Sequence, residues 1–302
     1  MQFTPRDLEY FAAVAESGSL LRAAERLGLS QPALSKALRR LEAAIGAKVV
    51  QRVPRGIELT MVGRSLLVHA NRIQLAYEDA LREAADLGQG RQGHLRIGAG
   101  AAMAQFLLPP ACALCVSEAG DVSIKVSVAA NDTLIPALRG GEYDLVISGI
   151  PVKPLEGLTQ EFIYDEEFVV YASARHPLVR KRTLHLEDLT AQGWATSGSN
   201  VLSWRWLQGA FEGHGLPSPR IVVDTSSTAI KFPLIASSNL LGFGARRTLI
   251  EGARHHGLAE LRIRELSWRR RVGVSYRENS YLSPAAIRFI AVLRRVAAMP
   301  RA

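Results

Sequence analysis

Residues 19–42 contain two short amphipathic segments joined by a glycine turn, and no other feature constrains the fold as strongly. Apolar residues recur every three or four positions on both sides of Gly28, which is the spacing of a buried helix face. Ser19 and Ser30 precede the segments and are suited to cap helices, while Gly28 suits the left-handed residue that ends one. Pro32 stands in the first turn of the second segment, where a missing N–H costs nothing. We therefore predict two short helices joined by a tight turn.

The second predicted helix has a polar face that is rich in amides, hydroxyls and long cations. This face contains no acidic residue before Glu42, and residues 31–60 hold six basic side chains against two acidic ones, a net charge of +4. In a helix-turn-helix, such a helix enters the major groove of DNA. The alternative is an ordinary three-helix domain with a solvated cationic face, and spacing alone leaves both open. The polar residues are Gln31, Ser35, Lys36, Arg39 and Arg40.

Two further elements complete the predicted N-terminal unit. A helix begins at Thr4-Pro5, where a capping residue is followed by a proline in the first turn. After the helix pair, residues 49–52 and 57–59 read as two strands around a Pro-Arg-Gly turn. This hairpin predicts a wing that carries Arg52 and Arg55 beside a DNA backbone.

Residues 1–90 as a whole strongly resemble the LysR-type transcriptional regulators. The resemblance implies a DNA-binding role in which Ser30, Gln31, Pro32, Ser35, Lys36 and Arg39 face the groove, with Arg52 and Arg55 on the wing. The stretches that carry it are Leu8-Glu9-Tyr10-Phe11, Ala15-Glu16-Ser17-Gly18-Ser19, Ala23-Ala24, Leu27, Leu29-Ser30-Gln31-Pro32-Ala33-Leu34-Ser35, Leu41-Glu42, Arg55-Gly56, Leu59-Thr60 and Gly63.

A long helix is predicted from Thr60 to about Leu87, followed by a glycine-rich hinge. Its apolar residues are spaced alternately four and three apart, which is a heptad seam that needs a partner. Packing against its own domain is one option, and the resemblance favours pairing between two chains. It further implies a tetramer and an interrupted palindromic DNA site. The seam residues are Leu66, Ala70, Ile73, Tyr77, Ala80, Ala84 and Leu87.

From His94 onward, strand and helix patterns alternate, which predicts an α/β fold with parallel sheets. The looser resemblance of this region implies a periplasmic-binding-protein-like effector domain made of two Rossmann-like subdomains. The predicted strands are 95–98, 122–128, 144–147, 168–171, 221–223 and 240–243. The predicted domains are a winged helix-turn-helix at 1–59, a linker helix and hinge at 60–90, and an effector domain at 91–302. Subdomain I would comprise 91–163 and 268–302, and subdomain II would comprise 164–267.

Four strand-to-helix junctions in this region carry small or polar residues. Each suits plain helix capping, but four together favour a cleft, because ligands of open α/β sheets bind beyond the carboxyl ends of strands. The expected ligand is a small organic anion, although Ala101 and Ala102 stand where the family often has a hydroxyl. The candidate effector residues are Gly100, Ala101, Ala102, Asn131, Thr133, Ser148, Ser197, Ser199, Asn200, Thr225, Ser226 and Phe243.

Other chemistries find little support in the sequence. The Gly98–Met103 stretch begins like a dinucleotide-binding loop but lacks the third glycine. Cys112 and Cys115 form a CxxC within an apolar helical stretch, with no second ligand pair for a metal, so we read them as core residues. No nucleophile, metalloprotease or paired-carboxylate motif appears. We expect neither an enzyme nor a cofactor or metal site; the alternative function is a solute-binding or sensing protein without a DNA role.

Charge and hydropathy agree with this reading. The chain has 302 residues and a formal net charge of +9, which favours polyanions. A second basic cluster at 246–277 holds nine arginines against three glutamates, a net charge of +6, and reads as a solvated surface. Because no signal peptide and no apolar run of membrane-spanning length is present, we expect a cytoplasmic location and no membrane contact.

Overall fold

The computed structural model describes residues 3–54, 56–89, 93–119, 122–196, 202–225 and 227–299. The chain divides into two compact units, Met1–Gly88 and Gln89–Ala302. Five predicted site residues lie outside the described residues: Arg55, Ser197, Ser199, Asn200 and Ser226. None of the described helices is long and apolar enough to cross a membrane.

The N-terminal unit has the predicted three helices, hairpin and long helix. Thr4 and Asp7 form a capping box at the first helix, and left-handed Gly18, Gly28 and Gly46 end the three helices in turn. These local signals work because each satisfies backbone groups that a helix end leaves unpaired. The elements are α1 (Pro5–Ser17), α2 (Leu20–Leu27), α3 (Gln31–Ile45), β1 (Val50–Val53), β2 (Gly56–Leu59) and α4 (Met61–Gln89).

The β1–β2 hairpin is attached to the end of α1 through two glycines. The Ile57 N–H donates to the Gly18 carbonyl at 3.0 Å. Gly56 has φ +133°, and a Cβ there would lie 2.5 Å from the same carbonyl oxygen. Only glycine meets both requirements without strain, so the close approach of Gly56 to Gly18 sets the position of the wing.

Helix α4 packs against this unit only at its start. Leu66 and Ala70 join the core formed by Phe11, Leu34 and Leu41. Further along the same seam, the side chains of Ile73 and Tyr77 are 49% and 65% exposed. The first turns of the seam therefore pack within the chain, whereas Ile73 and Tyr77 are left exposed. Pairing of the seam with a second chain stays a prediction.

The C-terminal unit is a mixed α/β structure built on a seven-stranded sheet. Strand order along the sheet is β10-β6-β11-β5-β3-β4, with β9 also paired to β6, and β7 and β8 form a separate parallel pair. The strands are β3 (His94–Ala99), β4 (Ser123–Val128), β5 (Leu145–Gly149), β6 (Leu158–Ser173), β7 (Gly193–Thr196), β8 (Arg220–Asp224), β9 (Gly242–Ala245), β10 (Leu258–Leu261) and β11 (Trp268–Arg277). The helices are α5 (Ala101–Phe106), α6 (Leu108–Ala119), α7 (Asn131–Arg139), α8 (Leu202–Gly213), α9 (Thr228–Ala236), α10 (Arg246–His256) and α11 (Pro284–Ala298), with 3₁₀ turns at Pro177–Arg180 and Leu186–Leu189.

The predicted parallel pairing accounts for only part of the observed sheet. Strands β3, β4 and β5 are parallel to one another, but β11 runs antiparallel to both β5 and β6. The physical reason is that β6 and β11 are long strands that pair side by side over ten registered positions. They run from one hydrophobic core, which includes Ile97 and Phe289, to a second one that includes Trp194 and Phe211.

The two cysteines lie in the core side of α6, as predicted. Both thiols are free; Cys115 is fully buried and Cys112 is half-buried. Burial raises the pKa of both thiols, which disfavours the reactive thiolate. They are therefore packing residues of the first C-terminal core.

Candidate nucleic-acid interface and ligand cleft

One side of α3 is exposed in the described part of the N-terminal unit. Leu34, Leu38 and Leu41 face the core, and the opposite side is exposed at Gln31, Pro32, Lys36 and Arg39, with Ser35 half-buried. Ser30 caps the helix, because its hydroxyl accepts a hydrogen bond from the Ala33 N–H at 3.4 Å. The amide, hydroxyl and cationic groups on this face are those that read base edges and phosphates in the major groove.

Arg40, predicted as a DNA contact, points away from that face. Its guanidinium donates through Nε to the Asp7 carboxylate at 3.1 Å, and through Nη2 to the other carboxylate oxygen. Asp7 is fully buried and also accepts hydrogen bonds from the backbone and hydroxyl of Thr4. A buried carboxylate needs a counter-charge, so Arg40 joins α3 to α1 and is not part of the candidate interface.

The wing adds a second basic group to this unit. Arg52 stands in the middle of β1, opposite Ile57, and is exposed. The end of the hairpin is anchored by Glu42, whose carboxylate accepts hydrogen bonds from the Val49 N–H at 3.1 Å and from Lys48 Nζ at 2.7 Å. A rigidly mounted arginine beside a recognition helix suits contact with the DNA backbone.

In the C-terminal unit, the predicted junctions after β3 and β4 lie together at the carboxyl ends of β3, β4 and β5. The Gly100 N–H donates to the Ile147 carbonyl at 3.1 Å, and the Asn131 side-chain amide donates to the Gly149 carbonyl at 2.9 Å. Gly100 begins α5 without a side-chain cap, and Ala101 and Ala102 follow it. Thr133 is exposed in the first turn of α7. This edge therefore presents helix N-termini, which attract anions.

Two predicted effector residues are instead part of the protein interior. Ser148 is 1% exposed within β5. Phe243 is 3% exposed, and its ring stacks on Trp206 at 5.8 Å and lies 5.5 Å from Phe168. Both residues lie in short strands that are buried at most positions, so no alternation in the sequence separated them from the cleft, and neither belongs to the candidate site.

Two further junctions of the C-terminal unit follow β8 and β9. Thr225 is half-buried; its N–H donates to the Thr196 carbonyl at 2.9 Å, and its hydroxyl accepts from the Ser227 N–H at 3.2 Å. That pattern is the local turn typical of threonine before a helix. Ala245 begins α10 without a side-chain cap.

Arg247, in the first turn of α10, was not among the residues predicted from the sequence. Its guanidinium lies 4.4 Å from the centre of the Tyr164 ring and 5.8 Å from the Phe106 ring. Phe106 ends α5 and Tyr164 lies on β6. Arg247, in the helix that follows β9, therefore contacts two elements that come earlier in the C-terminal unit. The only sequence signal was the basic cluster at 246–277, which did not distinguish its members.

Other arginines of that cluster are neutralised by carboxylates. Arg246 is hydrogen-bonded to Glu260 at 2.6 and 2.9 Å and forms an ion pair with Glu167. It lines a pocket of about 220 Å³ together with both glutamates and with Arg262 and Arg264. Arg270 pairs with buried Glu166 at 2.7 Å. In the described part of the chain, Arg247 has no carboxylate within ion-pair distance, so it is a cation supported by aromatic rings alone.

Among the described residues, His185, Glu187 and Glu265 form a group whose potential ligand atoms lie within 4.8 Å of one another. His185 and Glu187 are exposed, and His185 Nδ1 lies 3.5 Å from a Glu265 carboxylate oxygen. Exposed groups of this kind are common without an ion, and we assign no metal to them.

Comparison with known proteins identifies both units. Residues 5–64 match the model of the bacterial regulatory helix-turn-helix proteins of the LysR family, and residues 88–298 match the LysR substrate binding domain. A regulator named GbpR from Azospirillum brasilense is 31% identical over 243 residues, covering 80% of this chain and 71% of that protein. The solved structure of CbnR, a LysR family transcriptional regulator, superimposes with a TM-score of 0.63 at 21% identity, covering 98% of this chain and 100% of that one. Full-length CbnR with its target DNA gives a TM-score of 0.53 at 23% identity, with the same coverage. The chain therefore belongs to the LysR family of DNA-binding transcriptional regulators.

Proposed function

We propose that this regulator binds promoter DNA through the exposed face of α3 and adjusts that binding to a small-molecule effector held in the C-terminal unit. The observation that carries the proposal is the face of Gln31, Ser35, Lys36 and Arg39, which the protein's own packing leaves unused. A related solved structure, full-length CbnR with its target DNA, supports the same use of the N-terminal unit.

Within the interface we assign two roles. Gln31 and Ser35, near the start of α3, read base edges, while Arg52 on the wing contacts phosphates. Base contacts discriminate between sequences, whereas phosphate contacts strengthen binding to all sequences and make it depend on salt. Arg55 belongs with Arg52 in this proposal, on the family resemblance alone.

Self-association brings two such units to one DNA site. An apolar groove of about 400 Å³ lies on the N-terminal unit, lined by Ile45, Met61, Val62, Ser65 and Leu66. It lies at the start of the helix that carries exposed Ile73 and Tyr77. An exposed seam at heptad spacing is stabilised by a second helix, so we propose that α4 pairs with α4 of a second copy, and that the DNA site is an interrupted palindrome. The family resemblance extends this to a tetramer.

In the C-terminal unit we propose division at the crossing strands β6 and β11, giving subdomain I (91–163 and 268–302) and subdomain II (164–267). Residues 1–59 would form the DNA-binding domain, and 60–90 the linker helix and hinge. The effector, a small organic anion, would bind between the subdomains beside Gly100, Asn131 and Thr225. Because the protein acts on DNA and its relatives are regulators rather than enzymes, we propose that it has a non-catalytic role in the cytoplasm.

Selection of genomic fragments by the purified full chain tests this function. We expect a small set of fragments with half-sites repeated at a fixed spacing. Gln31→Ala or Ser35→Ala should broaden the selected sequences, whereas Arg52→Ala should weaken binding to all fragments and reduce the salt dependence of the Kd by about one charge. Glu25→Ala, on the exposed side of α2, serves as a control. Recovery of random fragments by the unaltered chain would overturn the proposal.

A further inference from the structure

The first turn of α10 combines three groups that suit an acid. Arg247 is half-buried and, among the described residues, paired with no carboxylate. The next residue, Thr248, is 5% exposed, and its hydroxyl has no hydrogen-bond partner in the described part of the protein. The helix starts at Ala245 without a side-chain cap, which leaves its first N–H groups as donors.

Positive charge in this position is costly without an anion. The N-terminus of a helix carries a partial positive charge, so Arg246 and Arg247 in the first turn of α10 oppose the helix dipole. Arg246 is relieved by Glu167 and Glu260, but Arg247 has only the rings of Tyr164 and Phe106. A buried hydroxyl without a partner adds a second unsatisfied group at the same turn.

Resting on the proposed function, we infer that Arg247, with Thr248 and the first N–H groups of α10, binds the carboxylate of the effector. In this chain the junction after β3 offers only Ala101 and Ala102 and no hydroxyl. The side chains that suit an acid therefore lie at the start of α10. The effector is a carboxylic acid, and its neutral amide does not replace it.

The same contact connects the ligand to the two halves of the unit. Arg247 belongs to α10, whereas Phe106 belongs to α5 and Tyr164 to β6. A carboxylate that hydrogen-bonds the guanidinium competes with these rings, because a charge-assisted bond is stronger than an exposed cation–π contact. Binding thus changes how α10 and α5 contact each other.

The test uses three acids and their amides with the full chain: acetate and acetamide, benzoate and benzamide, nicotinate and nicotinamide. Binding is measured by calorimetry and by tryptophan fluorescence. We expect at least one acid to bind and its amide to bind at least about tenfold more weakly, the range of a charged hydrogen bond. Arg247→Met should weaken that acid at least about tenfold, Thr248→Val about threefold, and Arg247→Lys should restore much of the loss.

Arg271 supplies the matched control, since its guanidinium also lies over a ring, Phe162, at 5.0 Å. Arg271→Met should bind the acid as the unaltered chain does. The inference is overturned if none of the three acids binds with a Kd of about 1 mM or tighter. It is also overturned if acid and amide bind equally, or if Arg247→Met binds the acid as tightly as Arg271→Met does. Selection of DNA by the unaltered chain without acid is scored separately, so a failure of the proposed function is distinguishable from a failure of this inference.

Discussion

Arg270 and Glu166 lie 104 positions apart in the chain and form a buried ion pair that joins two strands. The two residues are in register across β11 and β6. Arg270 donates to Glu166 Oε2 from Nη2 at 2.7 Å and from Nε at 3.0 Å, and the Tyr164 hydroxyl lies 3.2 Å from Oε1. The Glu166 side chain is fully buried, so these hydrogen bonds take the place of water around its carboxylate.

Breaking that pair should destabilise the C-terminal unit. Glu166→Gln leaves Arg270 without its counter-charge and should lower the free energy of unfolding by about 3 kcal/mol. All four tryptophans lie in this unit, so their fluorescence during denaturation by urea reports it alone. Glu118→Gln breaks the exposed pair with Arg295 and should cost less than about 1 kcal/mol. Equal losses in the two variants would contradict a structural role for Glu166.

Stability of the N-terminal unit should fall in acid through Asp7. Burial raises the pKa of Asp7, but hydrogen bonds from Arg40 and Thr4 outweigh this effect and hold the pKa below its ordinary value. A lowered pKa in the folded state stabilises the fold at pH values above the unfolded-state pKa of about 4. This stabilisation is lost as the pH falls through the pKa of the folded state. We expect Asp7→Asn to speed hydrogen exchange in α1 at pH 6, corrected for intrinsic rates, and the difference from the unaltered chain to shrink below about pH 4. A difference that stays constant down to pH 3 would rule out this assignment; Glu16→Gln, in an exposed pair with Arg26, is the control.

The position of the wing should depend on Gly56. Alanine there would place a Cβ 2.5 Å from the Gly18 carbonyl oxygen at a φ of +133°. The hairpin must shift, and Arg52 with it. We expect Gly56→Ala to weaken binding to specific and random DNA alike, roughly tenfold at low salt, because phosphate contacts carry no sequence information. Gel-shift titrations check this, with Gly88→Ala as a control, since a Cβ at Gly88 meets nothing within 4 Å. Loss of specific binding alone would argue against the wing as a backbone contact.

Self-association should depend on the exposed part of the α4 seam. Ile73→Glu together with Tyr77→Glu places two charges where a partner helix would bury apolar groups, at a cost that is large unless the charges are paired. Sedimentation should show the smallest species for this variant at concentrations where the unaltered chain self-associates. Asn71→Glu adds charge to the same helix away from the seam and should sediment like the unaltered chain. If both variants sediment alike, the seam is not the contact between copies.

The sequence by itself determined most of the N-terminal unit, because its signals are local. Caps at Thr4 and Ser30 and left-handed glycines at Gly18 and Gly28 act within a turn of the helix ends that they define. The α3 face followed from helical periodicity, and the structure leaves that face exposed. Periodicity nevertheless placed Arg40 on the polar face without showing that it is taken up by buried Asp7, 33 positions away.

Only the tertiary structure decided the course of the sheet and the chemistry of the cleft. Antiparallel pairing of β6 with β11 joins distant segments, and no local pattern encodes which strands become neighbours. The nine arginines at 246–277 look alike in sequence, yet Glu260 neutralises Arg246 and Glu166 neutralises Arg270, whereas Arg247 rests on Tyr164 and Phe106. Charge partners are set by contacts across the fold, so the group we assign to the effector's acid could be identified only after the chain had brought α10 against α5.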